Sequence, residues 1–168
     1  MPAKIKAMLV MAPERRLPLL DALESCDIEV LLVGSCREAR RMLETQPPVH
    51  VVVTDTALPD GDWRRVLEIV TQGSPNVEVI VHSRLGDPAL WLDVLEQGGY
   101  DVLVEPYQRV ELRRIVEAAE ARRYLRSHAQ AIAHKRNAAR GWTAGNNSLG
   151  DFDTTAERLH TTQGAPDQ

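Results

Sequence analysis

His50-Val-Val-Val-Thr-Asp-Thr-Ala-Leu-Pro-Asp-Gly-Asp62 decides how this chain folds. Three valines and a threonine make a β-branched run, and Pro59-Asp60-Gly61 bounds it with turn residues. Such a run predicts a strand buried on both faces, because branched side chains pack well on a pleated surface. The strand ends on one acid, Asp55. In open α/β sheets the carboxyl ends of the strands border the ligand crevice, so Asp55 is the first candidate functional residue.

Working outward, the segments on either side repeat one unit. Upstream, Ile5 to Met11 predicts a first strand that Ala12-Pro13-Glu14 breaks. Arg15 to Glu24 predicts a helix with Leu17, Leu20 and Leu23 near one face and Pro18 in its first turn. Ile28 to Val33 predicts a second strand, closed by Gly34. Ser35 with Glu38 reads as a capping box that opens a second helix, which runs to Gln46 and stops at Pro47-Pro48. Downstream, Asp62 caps a third helix, Trp63 to Gln72, with Val66, Leu67 and Val70 inward. Val77 to His82 is the fourth strand and leads into Ser83. Asp87-Pro88 starts a fourth helix carrying Leu90, Val94 and Leu95, and Gly98-Gly99 ends it. Asp101 to Val104 is the fifth strand. Glu105-Pro106-Tyr107 is a turn that could hold a cis peptide bond. A fifth helix follows from Val110, with Leu112, Ile115, Val116 and Ala119 inward. Strand–helix five times over predicts an α/β fold: a doubly wound, five-stranded parallel sheet between two helical layers, because crossovers are right-handed.

The totals bound the rest. The chain has 168 residues, 43% hydrophobic but 4% aromatic, so its core must be aliphatic. No apolar stretch is long enough to span a bilayer and no leader is read, so a cytoplasmic location is expected. Cys26 and Cys36 form no metal or redox spacing and read as reduced structural thiols. Residues 1–120 carry 13 basic against 20 acidic side chains, whereas residues 121–150 carry 6 against none. The expected division is a domain over 1–121, a basic extension of the last helix over 122–140, and a disordered tail over 141–168 with one weak turn near Ala156–Leu159. The basic residues Arg122, Arg123, Arg126, Lys135, Arg136 and Arg140 have two readings: a solvated helix, or a surface for a partner or a homodimer. Ala118, Ala121, Leu125, His128 and Ile132 are too short and too poor a heptad series for a stable coiled coil. Without interleaved aromatics or a helix-turn-helix, nucleic acid is not expected as a partner.

Three stretches together carry a resemblance: Val51-Val-Val-Thr-Asp55-Thr-Ala-Leu-Pro59, Val79-Ile-Val-His-Ser83, and Gly98-Gly-Tyr-Asp-Val-Leu-Val-Glu-Pro106-Tyr107. Over residues 4–120 the chain resembles the receiver domain of bacterial two-component response regulators. The resemblance implies the flavodoxin-like strand order 2-1-3-4-5. It also implies transfer of a phosphoryl group from a histidine kinase to the aspartate at Asp55's position. That chemistry uses Mg²⁺ held by an acid pair after the first strand, a hydroxyl at the end of the fourth strand and a lysine at the end of the fifth. Asp55 matches the nucleophile and Ser83 the hydroxyl. The acid-pair positions fall on Ala12 and Pro13, with Glu14 one residue late. Glu105 stands at the lysine position. Arg84 stands where the family keeps a small residue. The aromatic reporter position falls near Leu103, in an aliphatic strand.

These departures have physical consequences. Two carboxylates facing one pocket oppose further negative charge, and loss of the metal removes the main electrostatic aid to phosphoryl transfer. Arg84 either supplies a counter-charge to Asp55 or Glu105 or points to solvent. A rebuilt hard-cation site from Asp55, Glu105 and Glu14 is a rival idea. His82 reads as a core or rim histidine rather than a phosphoacceptor. Asp60 and Asp62 read as turn and cap residues, and Trp63 and Trp91 as packing residues. A flavin phosphate loop is absent because Ala12 to Arg16 holds no glycine, and no G-x-S-x-G elbow surrounds Ser35 or Ser83. The expectation is a degenerate receiver, not an enzyme and without an output domain. It would act by contact with a histidine kinase or another signalling protein, with weak or no Mg²⁺-dependent phosphorylation. The alternative is a working phosphoacceptor modified on Asp55.

Overall fold

The structure, a computed structural model, describes residues 4–46 and 48–145. Its elements are β1 (Lys6–Val10), α1 (Leu17–Glu24), β2 (Glu29–Val33), α2 (Cys36–Thr45), β3 (Val51–Asp55), β4 (Ala57–Leu58), β5 (Gly61–Asp62), α3 (Trp63–Gly73), β6 (Glu78–Ser83), α4 (Pro88–Glu96), β7 (Asp101–Val104) and α5 (Arg109–Gly145). Five strands form one parallel sheet in the order β2-β1-β3-β6-β7. The fold class and the 2-1-3-4-5 order of the five sheet strands are as expected. The Pro59-Asp60 turn adds what the sequence reading left out, a two-residue hairpin of β4 and β5 with Ala57 opposite Asp62.

Alternation along the strands sorts the core into two layers, since successive side chains on a strand point to opposite faces. Met8, Val10, Val52, Val79, Val81 and Val102 pack with Ala39 of α2 and Val66, Leu67 and Val70 of α3. Ala7, Leu9, Val51, Val53, Ile80 and Leu103 pack with Leu19 and Leu23 of α1 and Leu112, Ile115 and Val116 of α5. β3 and β6 are buried along their whole length and form the centre of the sheet.

The helix starts follow their caps. Ser35 accepts the Glu38 N–H at 3.1 Å, and Glu38 accepts the Gly34 N–H at 2.7 Å, a reciprocal pair shifted by one residue from the usual box. Asp62 accepts the N–H groups of Arg64 and Arg65. Asp60 does not serve its own helix: it reaches across and accepts the N–H groups of Cys36 and Arg37 at 2.7 and 2.9 Å, capping α2. Arg15 does not enter α1, which starts at Leu17; its N–H instead bonds the Ala12 carbonyl in a turn. Arg64 stacks over the Trp63 ring and pairs with Asp93 of α4. Gly98 has φ +95°, the left-handed conformation that ends α4 without a Cβ penalty.

Compact packing extends over Met1–Ala131, past the expected limit at residue 121. Within this unit three of the six basic residues of 122–140 are already engaged. Arg126 Nη2 lies 2.9 Å and Arg122 Nε 3.7 Å from Glu78 Oε1, a carboxylate only 1% exposed at the start of β6. Arg126 also donates to the Pro75 carbonyl at 3.2 Å, and Arg123 grips Glu120. Arg122 and Arg126 thus answer a buried charge while keeping part of each side chain in water. The second unit runs from Ile132. α5 continues through it to Gly145. The tail beyond, with the turn at Ala156–Leu159, lies outside the described residues.

Two substitutions test this packing. A Cβ on Gly99 would lie 2.5 Å from Val94 Cγ1 and 2.9 Å from the Val94 carbonyl oxygen. Gly99→Ala should therefore lower stability by about 1–3 kcal/mol in urea denaturation, the usual cost of overpacking. Arg126→Ala leaves Glu78 with one longer partner and should cost roughly 2 kcal/mol, less than a fully broken buried pair because Arg122 remains. Adding Glu78→Gln to Arg126→Ala should recover part of that loss.

Candidate functional site

Sheet register assembles the site. Asp55, the last residue of β3, is paired with His82 of β6, and His82 with Leu103 of β7. Asp55 continues the parity of Val51 and Val53, and His82 that of Ile80, so both end the strand rows that face α1 and α5. The turn before α1 lies over the same face and delivers Arg15. Its Nη1 is 2.8 Å from Asp55 Oδ2. Glu105 follows β7, and its Oε1 is 2.8 Å from His82 Nε2. His82 Nδ1 faces Asp55 Oδ1 at 3.8 Å, too long for a hydrogen bond. The result is a row of polar side chains, Arg15–Asp55–His82–Glu105.

Burial sets the electrostatics of this row. Asp55 is 1% exposed and His82 3%, whereas Arg15 and Glu105 keep about a third and under half of their side chains in water. Burial of Asp55 acts to raise its pKa. His82, the Thr56 N–H bonded at 2.9 Å and the Arg15 guanidinium act the other way, and together hold it below the ordinary carboxylate value. The edge of the Tyr107 ring closes over His82, with centroids 6.2 Å apart.

Each residue singled out in the sequence can now be placed. His82 stands between Asp55 and Glu105, buried, with its Nε2 on the Glu105 carboxylate. Ser83 lies at the end of β6, but its hydroxyl donates to the Leu85 carbonyl at 2.9 Å and accepts the Leu85 N–H at 3.2 Å. It closes its own loop. Arg84 is exposed and forms no ion pair among the described residues; the counter-charge of Asp55 is Arg15, which no local sequence pattern marks. Glu14 is exposed in the turn after β1, away from any shared site. Trp63 is buried in the α2/α3 layer, and Trp91 is half-exposed with its indole N–H on Asp101.

The magnesium ion that receivers use does not fit this donor set. Ala12 and Pro13 offer no side-chain ligand, and among the described residues no group of three His, Cys, Asp or Glu side chains is arranged to hold a metal. The corner a cation would neutralise already holds the Arg15 guanidinium, fixed on Asp55. The rival site from Asp55, Glu105 and Glu14 is not assembled.

This arrangement sets a testable pH dependence. Asp55 is more acidic folded than unfolded, so its contribution to stability is complete above the ordinary carboxylate pKa of about 3.9 and fades as pH falls through the lower folded value. Asp55→Asn should flatten that part of the acid limb in urea midpoints measured between roughly pH 5 and 2. At neutral pH Arg15→Ala leaves the buried carboxylate uncompensated and should cost about 3 kcal/mol, the low end for breaking such a pair. The Arg15→Ala/Asp55→Asn double variant should be more stable than Arg15→Ala alone.

Comparison with known proteins agrees with this architecture. The chain is 29% identical over 83 residues to the response regulator protein PilR of Pseudomonas aeruginosa, covering 49% of this chain and 18% of that one. It is 28% identical over 93 residues to the regulatory protein LuxO of Vibrio cholerae, covering 55% and 20%. The chain thus spans about a fifth of the length of the curated relatives it matches. Among solved structures, a receiver domain protein from Clostridium thermocellum superposes with a TM-score of 0.64 at 24% identity, covering 72% of this chain and 98% of that one. An adenylate cyclase from Rhodopirellula baltica gives 0.70 at 20% identity, covering 79% and 99%. The receiver domain of the sensor histidine kinase PA1611 of Pseudomonas aeruginosa, solved with magnesium in its active-site cleft, gives 0.62 at 23%, covering 71% and 99%. The family profile of the response regulator receiver domain matches residues 13–117, most of the compact unit, and the chain belongs to that family.

Proposed function

We propose that this receiver is a degenerate one, signalling by protein contact without a phosphorylation switch on Asp55. One observation carries the reading: the Arg15 guanidinium sits 2.8 Å from Asp55 Oδ2, in a pocket whose acid-pair positions are Ala12 and Pro13. An aspartate nucleophile needs a free carboxylate oxygen and a cation that also grips the incoming phosphoryl oxygens. Here one oxygen of Asp55 is held by Arg15 and the other by the Thr56 N–H. Attack would break the ion pair and, because the carboxylate charge is consumed as the acyl phosphate forms, add about one net negative charge beside Glu105. The lysine that would answer them is absent, and the Ser83 hydroxyl is engaged with Leu85.

On this reading the site has one resting state, set by the chain's own guanidinium. The module is not a catalyst. It presents its surface constitutively to a histidine kinase or another signalling protein. No helix among the described residues is long and apolar enough to cross a membrane.

The test is incubation of the full chain with Mg²⁺ and acetyl phosphate, followed by intact mass, and separately with beryllofluoride followed by ¹⁹F NMR. No phosphoryl increment and no bound-fluoride signal are expected. A stable increment that Asp55→Asn abolishes would overturn the proposal in favour of a working phosphoacceptor.

A further inference from the structure

The end of the sheet opposite Asp55 carries a cleft of about 420 Å³, between the end of α2, the turn that follows α3 and the stretch of α5 from Arg123 to Ser127. Its whole lining belongs to the compact unit Met1–Ala131. Met42, Leu43, Val49 and Val77 give it an apolar wall, continuous with the α2/α3 layer of the core. The rim is already shaped. The Val77 N–H bonds the Ser74 carbonyl at 3.0 Å, and Arg126 donates to the Pro75 carbonyl at 3.2 Å, so the turn is closed on itself and tied to α5. The polar groups of the lining are held by bonds that fix what they can still do. Arg123 is its one charged side chain among the described residues, and Nε and Nη2 both donate to the Glu120 carboxylate, at 2.6 and 2.8 Å. A guanidinium gripped in this way is neutralised and leaves no free charge for an anion. Ser127 donates its proton to the Arg123 carbonyl at 3.0 Å, so its oxygen is left only as an acceptor. Asn76 Oδ1 is buried and accepts no hydrogen bond among the described residues. A buried acceptor without a donor is uncommon, because it has given up its bonds to water and gained none in exchange.

We infer that this cleft binds a small neutral molecule with an apolar ring, whose N–H or O–H group donates to Asn76 Oδ1. An apolar wall with one or two placed polar groups is the usual make-up of a small-molecule site, and the volume lies in the range of such sites. The apolar body of the guest covers the wall, and the single donor fixes its orientation. A charged guest would lose its hydration without meeting a free counter-charge. No covalent bond is made or broken.

The site lies beside the amino ends of β3 and β6, so it does not depend on what happens at Asp55. A guest seated there touches α2, the turn after α3 and α5 at once. Occupancy would therefore strengthen the docking of α5 next to the Arg126 contacts.

Amide NMR titrations of the full chain with indole and phenol, each paired with the methylated analogue that lacks the donor (1-methylindole and anisole), test the site. Saturable shifts centred on Met42, Val49, Asn76, Val77 and Ser127 are expected with at least one of the two donors. That donor should bind about tenfold more tightly than its analogue, the worth of one buried hydrogen bond. Asn76→Ala, at a half-buried turn residue, should remove this advantage: the donor weakens about tenfold and the analogue stays as it was. Damage to the fold would weaken both members of a pair alike, so the pair separates recognition from structure. A silent or unsaturable titration with all four probes, shifts centred elsewhere, or an equal loss for donor and analogue in Asn76→Ala overturns the inference.

Discussion

A carboxylate buried to 1% exposure at the end of the central strand must be answered by positive charge, and in this protein Arg15 answers it. Much of the local structure follows from that constraint. The turn at Ala12 to Arg15 shortens α1 so that it starts at Leu17 and leaves the guanidinium free to fold back over β3. His82 fills the space on the other side and passes the contact on to Glu105. An arginine of the chain itself thus supplies that positive charge.

The same logic recurs at the opposite end of the sheet. Glu78 begins β6 just as His82 and Ser83 end it, and it too is buried, with arginines from α5 brought to it. One central strand therefore carries a polar demand at each end, and each is met by a side chain from outside the sheet. The apolar middle, Val79 to Val81, packs on both helical layers and fixes the distance between the two demands. α5 is held to the domain by charge as well as by Leu112, Ile115 and Val116, which extends its docking beyond the apolar stripe.

The fold was legible because its signals are local. β-branched runs, period-two alternation, Asp62 and Asp87 as caps, and Gly98-Gly99 as a stop each specify structure within a few residues. The family positions of Asp55, Ser83 and Glu105 were legible too. What could not be read was anything that depends on register or on a side chain crossing between elements. Alternation puts Asp55 with Val53 and His82 with Ile80, but only the register places Asp55 opposite His82. Arg15 reads as the first residue of a helix, and Arg84 as either a counter-charge or a solvent-facing residue; the structure puts Arg15 on Asp55 and Arg84 in an exposed loop. Asp60 and Glu78 were missed for the same reason: their partners lie 24 and 48 residues away along the chain, at Cys36 and Arg126.

The bonds from Asp60 to the N–H groups of Cys36 and Arg37 have a consequence for the mouth of the pocket. They tie the hairpin that follows Asp55 to a neighbouring helix, while Ser83 ties the facing loop to itself. Both loops nearest Asp55 are thus braced by bonds already made. Little of the free energy of any contact made at this rim would be lost to ordering the backbone.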